Sequence, residues 1–270
     1  MPISALRAVA ASPIDTSCQY GGKDCDDEAP TMREVTLAYG KEAAGTRNLY
    51  LKPFAYFAKA VDLRTGDPTA HAVAGAFGQA KNLTYGGEIV ERVYKILGAG
   101  GKFRREPDCG NLGALTNEVC LETLPTIDFL KAVTDIVRPL SAAARKTLDG
   151  IYSVAGIFSA TYGTAEELQK IGEARATCES ATTSLRDRAV DARDANVTQS
   201  WLKIGTYANY FVLGVLGIGA YVEAITVAPW IILAISTNAL VFTLLGHFQK
   251  KLAVEPAQAR VDAVSAKAAV

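Results

Sequence analysis

Two long apolar blocks lie close together near the carboxyl end of the chain. Residues 204–222 form a block of nineteen and residues 226–248 a block of twenty-three, and neither contains Asp, Glu, Lys or Arg. Only the three residues Glu223–Ile225 separate them. About 20 apolar residues, rising about 1.5 Å each in a helix, cross the roughly 30 Å hydrocarbon core of a bilayer. The pattern therefore predicts two transmembrane helices joined by a tight turn.

Aromatic and basic residues mark the ends of both blocks. We expect six of them to anchor the helices at the membrane–water interfaces: Trp201, Lys203, Tyr221, Trp230, Lys250 and Lys251. Amphipathic rings prefer this depth, and lysines concentrate on the cytosolic side of a membrane. Because the turn carries no Lys or Arg, we expect both flanks of the hairpin, and with them both termini, in the cytosol. Glu223 then reaches water at the turn.

Small residues within the blocks predict that the two helices pack closely on each other. The residues expected at this contact are Gly205, Gly214, Gly217, Gly219 and, as a hydrogen-bonding side chain at mid-depth, Asn238. The competing interpretation is a helical hairpin buried in a soluble core. Helices free of charge over about 20 residues are uncommon there, which favours the membrane.

Shorter apolar patterns predict a helical region over residues 49–200, and signals for β-strands are weak throughout. Asp67 followed by Pro68 is typical of a helix start, with the Asp side chain as the cap. Residues 88–97 show apolar residues on one face and charged residues on the other, which predicts an amphipathic helix that ends at Gly98.

The second half of this region contains a predicted loop and further helices. Six Gly and Pro residues predict a loop over residues 98–117. Helices are expected over residues 124–137 and again from Pro139. Thr164 and Glu167 have the spacing of a capping box, which predicts that a separate last helix begins at Thr164 and runs toward the first apolar block.

The patterns divide the chain into four parts and predict a mainly α fold. Residues 1–48, with three prolines and an acidic cluster, are expected to form an irregular tail. Residues 49–200 form a helical cytosolic region, residues 201–250 the transmembrane hairpin, and residues 251–270 a short carboxyl-terminal tail.

Composition and motifs argue against several classes of function. The formal net charge is zero, which argues against a nucleic-acid partner. The only histidines, His71 and His247, are far apart and lack neighbours at metal-ligand spacing, so we expect no metal or cofactor. No catalytic motif is present, and we predict that the protein is not an enzyme. Five cysteines without regular spacing predict free thiols, with a bond between Cys109 and Cys120 left open.

A small basic cluster, Lys102, Arg104 and Arg105, follows the amphipathic pattern of residues 88–97. Each basic residue near an anionic membrane surface contributes about 1 kcal/mol. The cluster is therefore a candidate for contact with a membrane surface, and a solvated loop is the alternative.

The apolar profile resembles that of the inclusion membrane proteins of Chlamydiae. The resemblance lies in residues 203–221 and 228–248, which form two spans joined by a very short turn. It implies export by type III secretion, insertion into the membrane of the vacuole that houses the bacterium, and flanks that recruit host proteins in the host cytosol. In that family the soluble parts differ widely, so the resemblance covers the hairpin only.

Residues 88–105 are also similar to the membrane-curving helix of proteins that elongate peroxisomes, although the spans of those proteins lie further apart. The leading hypothesis is a membrane-anchored interaction protein whose partners are the lipid bilayer and a second protein. The alternatives are a membrane-shaping protein that uses residues 88–105, and an enzyme with a cavity that the sequence does not reveal. A homo-oligomer is left open.

Overall fold

The protein is mainly α-helical, as predicted. A computed structural model describes residues 47–179 and 186–268, and all regular structure in these ranges is helical. In chain order the helices are α1 (Arg47–Thr65), α2 (Pro68–Leu83), α3 (Tyr85–Arg105), α4 (Cys109–Val137), α5 (Ala142–Glu179), α6 (Arg186–Tyr221), α7 (Pro229–Gln249), a π-helix (Lys250–Val254) and α8 (Glu255–Ala268). The prediction for the amino-terminal tail lies almost entirely outside the described residues.

The predicted start of α2 is confirmed. The side chain of Asp67 accepts a hydrogen bond from the backbone N–H of Ala70 at 3.0 Å, and Pro68 occupies the first turn. This bond satisfies one of the free N–H groups at the helix start, while Pro68 lacks an N–H group that would need a partner.

The predicted loop over residues 98–117 is wrong. Helix α3 continues to Arg105, only Glu106–Asp108 interrupt the helices, and α4 begins at Cys109. Asp108 caps α4, because its Oδ1 accepts from the backbone N–H of Asn111 at 2.6 Å. Each helical glycine costs about 1 kcal/mol relative to alanine, but tertiary contacts override such a preference. Gly113, for example, lies against the ring of Tyr162, where an added Cβ would be 3.1 Å from the nearest ring atom.

The predicted helix start at Thr164 is also wrong. Helix α5 runs from Ala142 to Glu179 without a break. Thr164 donates its hydroxyl hydrogen to the carbonyl oxygen of Ala160 at 2.8 Å, as a threonine inside a helix does. Local spacing that suits a capping box therefore occurs here within a continuous helix.

The alternative of a bond between Cys109 and Cys120 is excluded. Both are free thiols on α4, eleven residues apart in the chain. That spacing corresponds to about 16 Å along a helix axis, whereas the Cα atoms of a disulfide lie within about 7 Å.

The helices pack side by side, with α5 antiparallel to α6 and α6 followed by α7 in a hairpin. Helix α4 packs on α5, α3 packs on α4, and α1 contacts both α2 and α7. The carboxyl-terminal segment returns to the bundle: Ala257 of α8 is buried against Ala192 and Ala195 of α6. The short tail predicted for residues 251–270 is thus helical through Ala268 and docks on the amino-terminal half of α6.

Candidate membrane-spanning hairpin

Within the described ranges, two helices are long and apolar enough to cross a membrane. They are α6, of 36 residues, and the continuous helix Pro229–Ala263, of 35 residues, whose most apolar 18-residue windows have mean hydropathies of 1.2 and 1.8. Only 6% and 11% of their most apolar windows are buried inside the protein. A core helix of a soluble protein would be mostly buried. The apolar surface of the hairpin therefore faces outward.

The turn between the helices is close to its predicted place. Helix α6 ends at Tyr221, and α7 begins at Pro229. The backbone N–H of Ala224 donates to the carbonyl of Gly219 at 2.9 Å, which closes the end of α6. Glu223 adopts the left-handed conformation, with φ of 61°. Such a conformation costs a non-glycine residue roughly 1–3 kcal/mol, so the surrounding contacts must hold it.

Glu223 forms an ion pair with Lys146, which lies at the amino-terminal end of α5. The hydrogen bond from Lys146 and its positive charge hold the pKa of Glu223 below its usual range. The ring of Tyr221 lies beneath the same ammonium group, 5.8 Å from the ring centre. The turn end of the hairpin is therefore a polar, charged cap to which α5 contributes.

Two of the predicted contacts between the spans are confirmed. Gly205 lies so close to the ring of Phe242 that a Cβ would be 2.8 Å from it. Asn238 donates from Nδ2 to Oδ1 of Asn209 at 2.9 Å, and Asn209 in turn donates to the carbonyl of Gly205 at 2.7 Å. Hydrogen bonds of this kind between membrane helices contribute about 0.6–2 kcal/mol. The sequence analysis missed Asn209. Its signal was visible, because it is the one Asn or Gln in residues 204–222.

The remaining glycines do not join the two spans, which corrects the prediction. A Cβ on Gly214 would lie 2.5 Å from Ile157 and 2.9 Å from the carbonyl oxygen of Ser153, both on α5. Gly217 likewise faces the side chain of Ser153, and Gly219 faces Ile225 in the turn. The glycines indicate close approach correctly, but a glycine pattern does not identify which helix approaches.

The predicted interface residues lie at the ends of the spans. Trp201 and Trp230 are 53% and 65% exposed. At the end opposite the turn, Lys250 and Lys251 follow α7 within the π-helix, with Nζ atoms 3.9 Å and 3.1 Å from Glu255 Oε1. The end of the hairpin opposite the turn is therefore charged.

Lys203 pairs with a carboxylate that the sequence did not identify as its partner. Glu167 of α5 is 2% exposed, and its Oε1 lies 3.2 Å from Lys203 Nζ and 2.7 Å from Lys170 Nζ. Burial raises the pKa of Glu167, but the hydrogen bond from Lys170 and the charge of Lys203 outweigh it and hold the pKa below its usual range. An ion pair to α5 thus lies near the middle of α6, where the first apolar block begins.

The basic cluster lies in the last turn of α3 rather than in a loop. Lys102, Arg104 and Arg105 are exposed, and Arg105 donates from Nε to the carbonyl oxygen of Gly101 at 3.2 Å. Basic residues there complement the helix dipole. On the preceding turns Tyr94 and Leu97 are 72% and 65% exposed. Helix α3 therefore presents apolar and basic side chains together.

A cavity of about 180 Å³ lies between α4, α5 and α6, with Asn117, Ser159, Tyr162, Glu166 and Tyr207 among its lining residues. Oδ1 of Asn117 and Oγ of Ser159 have no hydrogen-bond partner among the described residues. Within the same part of the chain, no group of three or more His, Cys, Asp or Glu side chains is placed to hold a metal ion.

The close contact between α5 and α6 predicts opposite effects for two glycine substitutions. Gly214→Ala should lower the free energy of unfolding by about 1–3 kcal/mol, because the new methyl group meets the backbone of α5. Gly156→Ala, on α5 with no atom within 4 Å of the added Cβ, should leave stability unchanged or raise it by up to about 1 kcal/mol. Thermal unfolding in detergent micelles, followed by circular dichroism, measures both. Equal stability of the two variants would contradict the tight contact.

The environment of Glu167 predicts a pH-dependent contribution to stability. Because its folded pKa is lowered, its ionised form stabilises the fold above its ordinary pKa of about 4.5, and this contribution is lost as the pH falls through the folded pKa. Glu167→Gln should therefore be destabilised at neutral pH, and its deficit should shrink below about pH 4.5. Glu166→Gln, one residue away, is the control. A deficit of Glu167→Gln that stays constant with pH would show that the charge is not responsible.

No family model matches the chain, and neither a curated protein nor a solved structure matches it. What the protein does is therefore inferred from its own residues, first of all from the outward-facing apolar surface of α6 and α7.

Proposed function

We propose that the protein is a membrane-anchored interaction protein, with the α6–α7 hairpin as its anchor and the helices before it as its working surface. The observation that carries the proposal is the low burial of the two apolar windows, 6% and 11%. These windows have the length and composition of membrane spans, and they turn that surface away from the protein interior.

The hairpin would be costly to keep in water. Large apolar side chains that are more than 40% exposed recur along both helices: Phe211, Val212, Val215, Ile231, Ile232, Val241 and Leu245. Removing apolar surface from water contributes about 25 cal/mol per Å², and soluble proteins seldom expose continuous apolar patches of this kind. Hydrocarbon tails cover such a surface without requiring hydrogen bonds.

The orientation of the anchor follows from its charges. Lys203, Lys250 and Lys251 gather at one end, and the turn holds Glu223. The positive-inside rule then places the lysine end, with the carboxyl terminus, in the cytosol. The resemblance to chlamydial inclusion membrane proteins extends the proposal to a type III secreted effector in a vacuole membrane, with the host cytosol on the lysine side.

The proposed working surface consists of helices α1–α4. Phe57 on α1 and Tyr94 on α3 are each 72% exposed, and Val137 at the end of α4 is 79% exposed. Aromatic residues are enriched at the centres of protein interfaces, because they bury a large area at low entropic cost. Exposed aromatic side chains on packed helices support recognition of a protein partner.

A membrane-shaping function is the second candidate, and the surface of α3 favours it. Tyr94 and Leu97 are exposed next to the basic cluster of Lys102, Arg104 and Arg105. An amphipathic helix binds an anionic membrane through its apolar face and gains about 1 kcal/mol for each basic residue near the surface.

The hairpin predicts a specific labelling pattern in sealed vesicles that carry the full chain. In a cysteine-free background, Thr198→Cys and Ala259→Cys should react alike with a membrane-impermeant maleimide, because they flank the hairpin on one side. Ala224→Cys, in the turn, should show the opposite accessibility before the vesicles are permeabilised. The anchor would be disproved if all three reacted equally in intact vesicles, or if Thr198→Cys and Ala259→Cys fell on opposite sides.

A photo-crosslinker distinguishes the two candidate functions. Benzoylphenylalanine in place of Tyr94, in the full chain in its native membrane, should yield a discrete protein adduct if α3 binds a partner. Adducts with lipid alone would favour the membrane-shaping function instead. The same group at the buried position Ala74 is the control and should give only intramolecular products. If lipid adducts form, the combined variant K102E/R104E/R105E should reduce them severalfold.

A further inference from the structure

Helix α5 contains a third stretch that is free of charge. The sixteen residues Gly150–Ala165 contain no Asp, Glu, Lys or Arg, and Asp149 and Glu166 bound them. Sixteen helical residues span about 24 Å, slightly less than the hydrocarbon core. A bilayer accommodates a short span by modest thinning, and the long side chain of Lys146 can reach the interface from just outside it. Hydropathy alone does not identify this stretch, because it is rich in Gly, Ala, Ser and Thr.

This stretch lies beside the first span over its whole length. Gly150 lies against the ring of Tyr221, where a Cβ would be 2.9 Å away. Gly163 lies against the ring of Tyr207, where a Cβ would be 2.6 Å away. Contact through small residues is how membrane helices approach one another closely. The charge-free stretches of α5 and α6 therefore begin and end at the same levels.

Ion pairs close the shared stretch at both ends. Lys146 pairs with Glu223 at the turn, and Glu167 pairs with Lys203 at the other end. No charged residue of α5 lies between these two levels. The polar boundaries of this stretch of α5 therefore lie at the same levels as those of the hairpin.

The hydroxyl groups inside the stretch are mostly satisfied within the helix. Ser153, Thr161 and Thr164 donate to the carbonyl oxygens four residues earlier, at 2.7–2.9 Å. Bonds of this kind allow Ser and Thr to occupy membrane helices without an unpaired donor. Ser159 is the exception, and it lines the cavity toward α4 and α6.

The outer face of α5 is apolar and uncovered. Ile151, Val154 and Phe158 are 48%, 58% and 37% exposed, and their spacing of three and four residues puts them on one stripe. Among the described residues, the neighbouring helices pack on other faces of α5 and leave this stripe exposed. It lies at the depth of Phe211 and Val215 of α6, which are also exposed. The stripe continues the surface that the proposed function assigns to lipid.

We infer that α5 crosses the membrane as a third helix, through Gly150–Ala165, with the stripe Ile151–Phe158 in contact with lipid chains. The inference rests on the proposed anchor. Helix α4 packs beside the same stretch, with Gly113 against the ring of Tyr162 and Lys131 Nζ 5.8 Å from the ring centre of Tyr152, and leaves the stripe Ile151–Phe158 exposed.

A third crossing changes the expected topology. The start of α5 at Ala142 then lies on the side of the turn, next to the pair of Lys146 with Glu223. Helix α4 returns along α5 toward the lysine end, because Asp135 pairs with Arg145 while Gly113 lies against Tyr162.

Spin labels on single cysteines of the full chain in liposomes test the inference. Val154→Cys on α5 should resemble Val215→Cys on α6, with an accessibility ratio of oxygen to a water-soluble nickel chelate severalfold higher than that of Ala176→Cys. Ala176 is an exposed control beyond Glu167 on the same helix. If Val215→Cys contacts lipid while Val154→Cys contacts water, or is shielded from both reagents, the third crossing is overturned and the anchor stands. If both positions contact water, the anchor itself fails.

Discussion

The contact between α5 and α6 at Gly214 is the constraint on which the arrangement of the bundle depends. There is no room at this point for a methyl group, since a Cβ would lie 2.9 Å from the backbone oxygen of Ser153. The register of the two helices is therefore fixed to within a residue. Once it is fixed, Glu167 necessarily faces Lys203, and Lys146 necessarily faces Glu223. The left-handed backbone of Glu223 is held at the point where this register ends.

The same register explains why polar groups gather at two levels. Buried ion pairs seldom add net stability, because desolvation offsets their attraction, but breaking one leaves a charge without a partner. Glu167 is almost fully buried, so sliding α5 by one turn would move its carboxylate away from Lys203 and leave only Lys170, on the same helix, as its partner. Close packing in the middle and ion pairs at the ends thus reinforce one another. Between the ends, the hydrogen bond that the Asn238 side chain donates to Asn209 fixes α7 against α6 in the same way.

The sequence predicted those features that depend on a single segment. The two long apolar helices, the turn between them and the cap at Asp67 follow from length, charge and local spacing, and the structure contains them. Contacts between segments that lie far apart in the chain were not predictable. Gly214 indicates a close approach in any sequence, but its partner, α5, is about 60 residues earlier in the chain and carries no motif. The sequence also did not reveal that α5 continues through Thr164. The spacing of a capping box occurs both at a helix start and inside a continuous helix.

The sequence pattern suggested that the proposed anchor and the proposed working region are separate units, but the two pack together. The face of α6 that carries Gly214 and Gly217 is complementary to Ser153 and Ile157 of α5, and the opposite end of α6 packs on α8. A hairpin of α6 and α7 alone would leave that glycine face as an open groove, since lipid chains fill a glycine groove less completely than a fitted helix does. Helix α5 therefore packs on the proposed anchor through its first half and extends beyond Lys203 through its second half. A partner that moves α5 would act directly on this packing, because α5 is one unbroken helix.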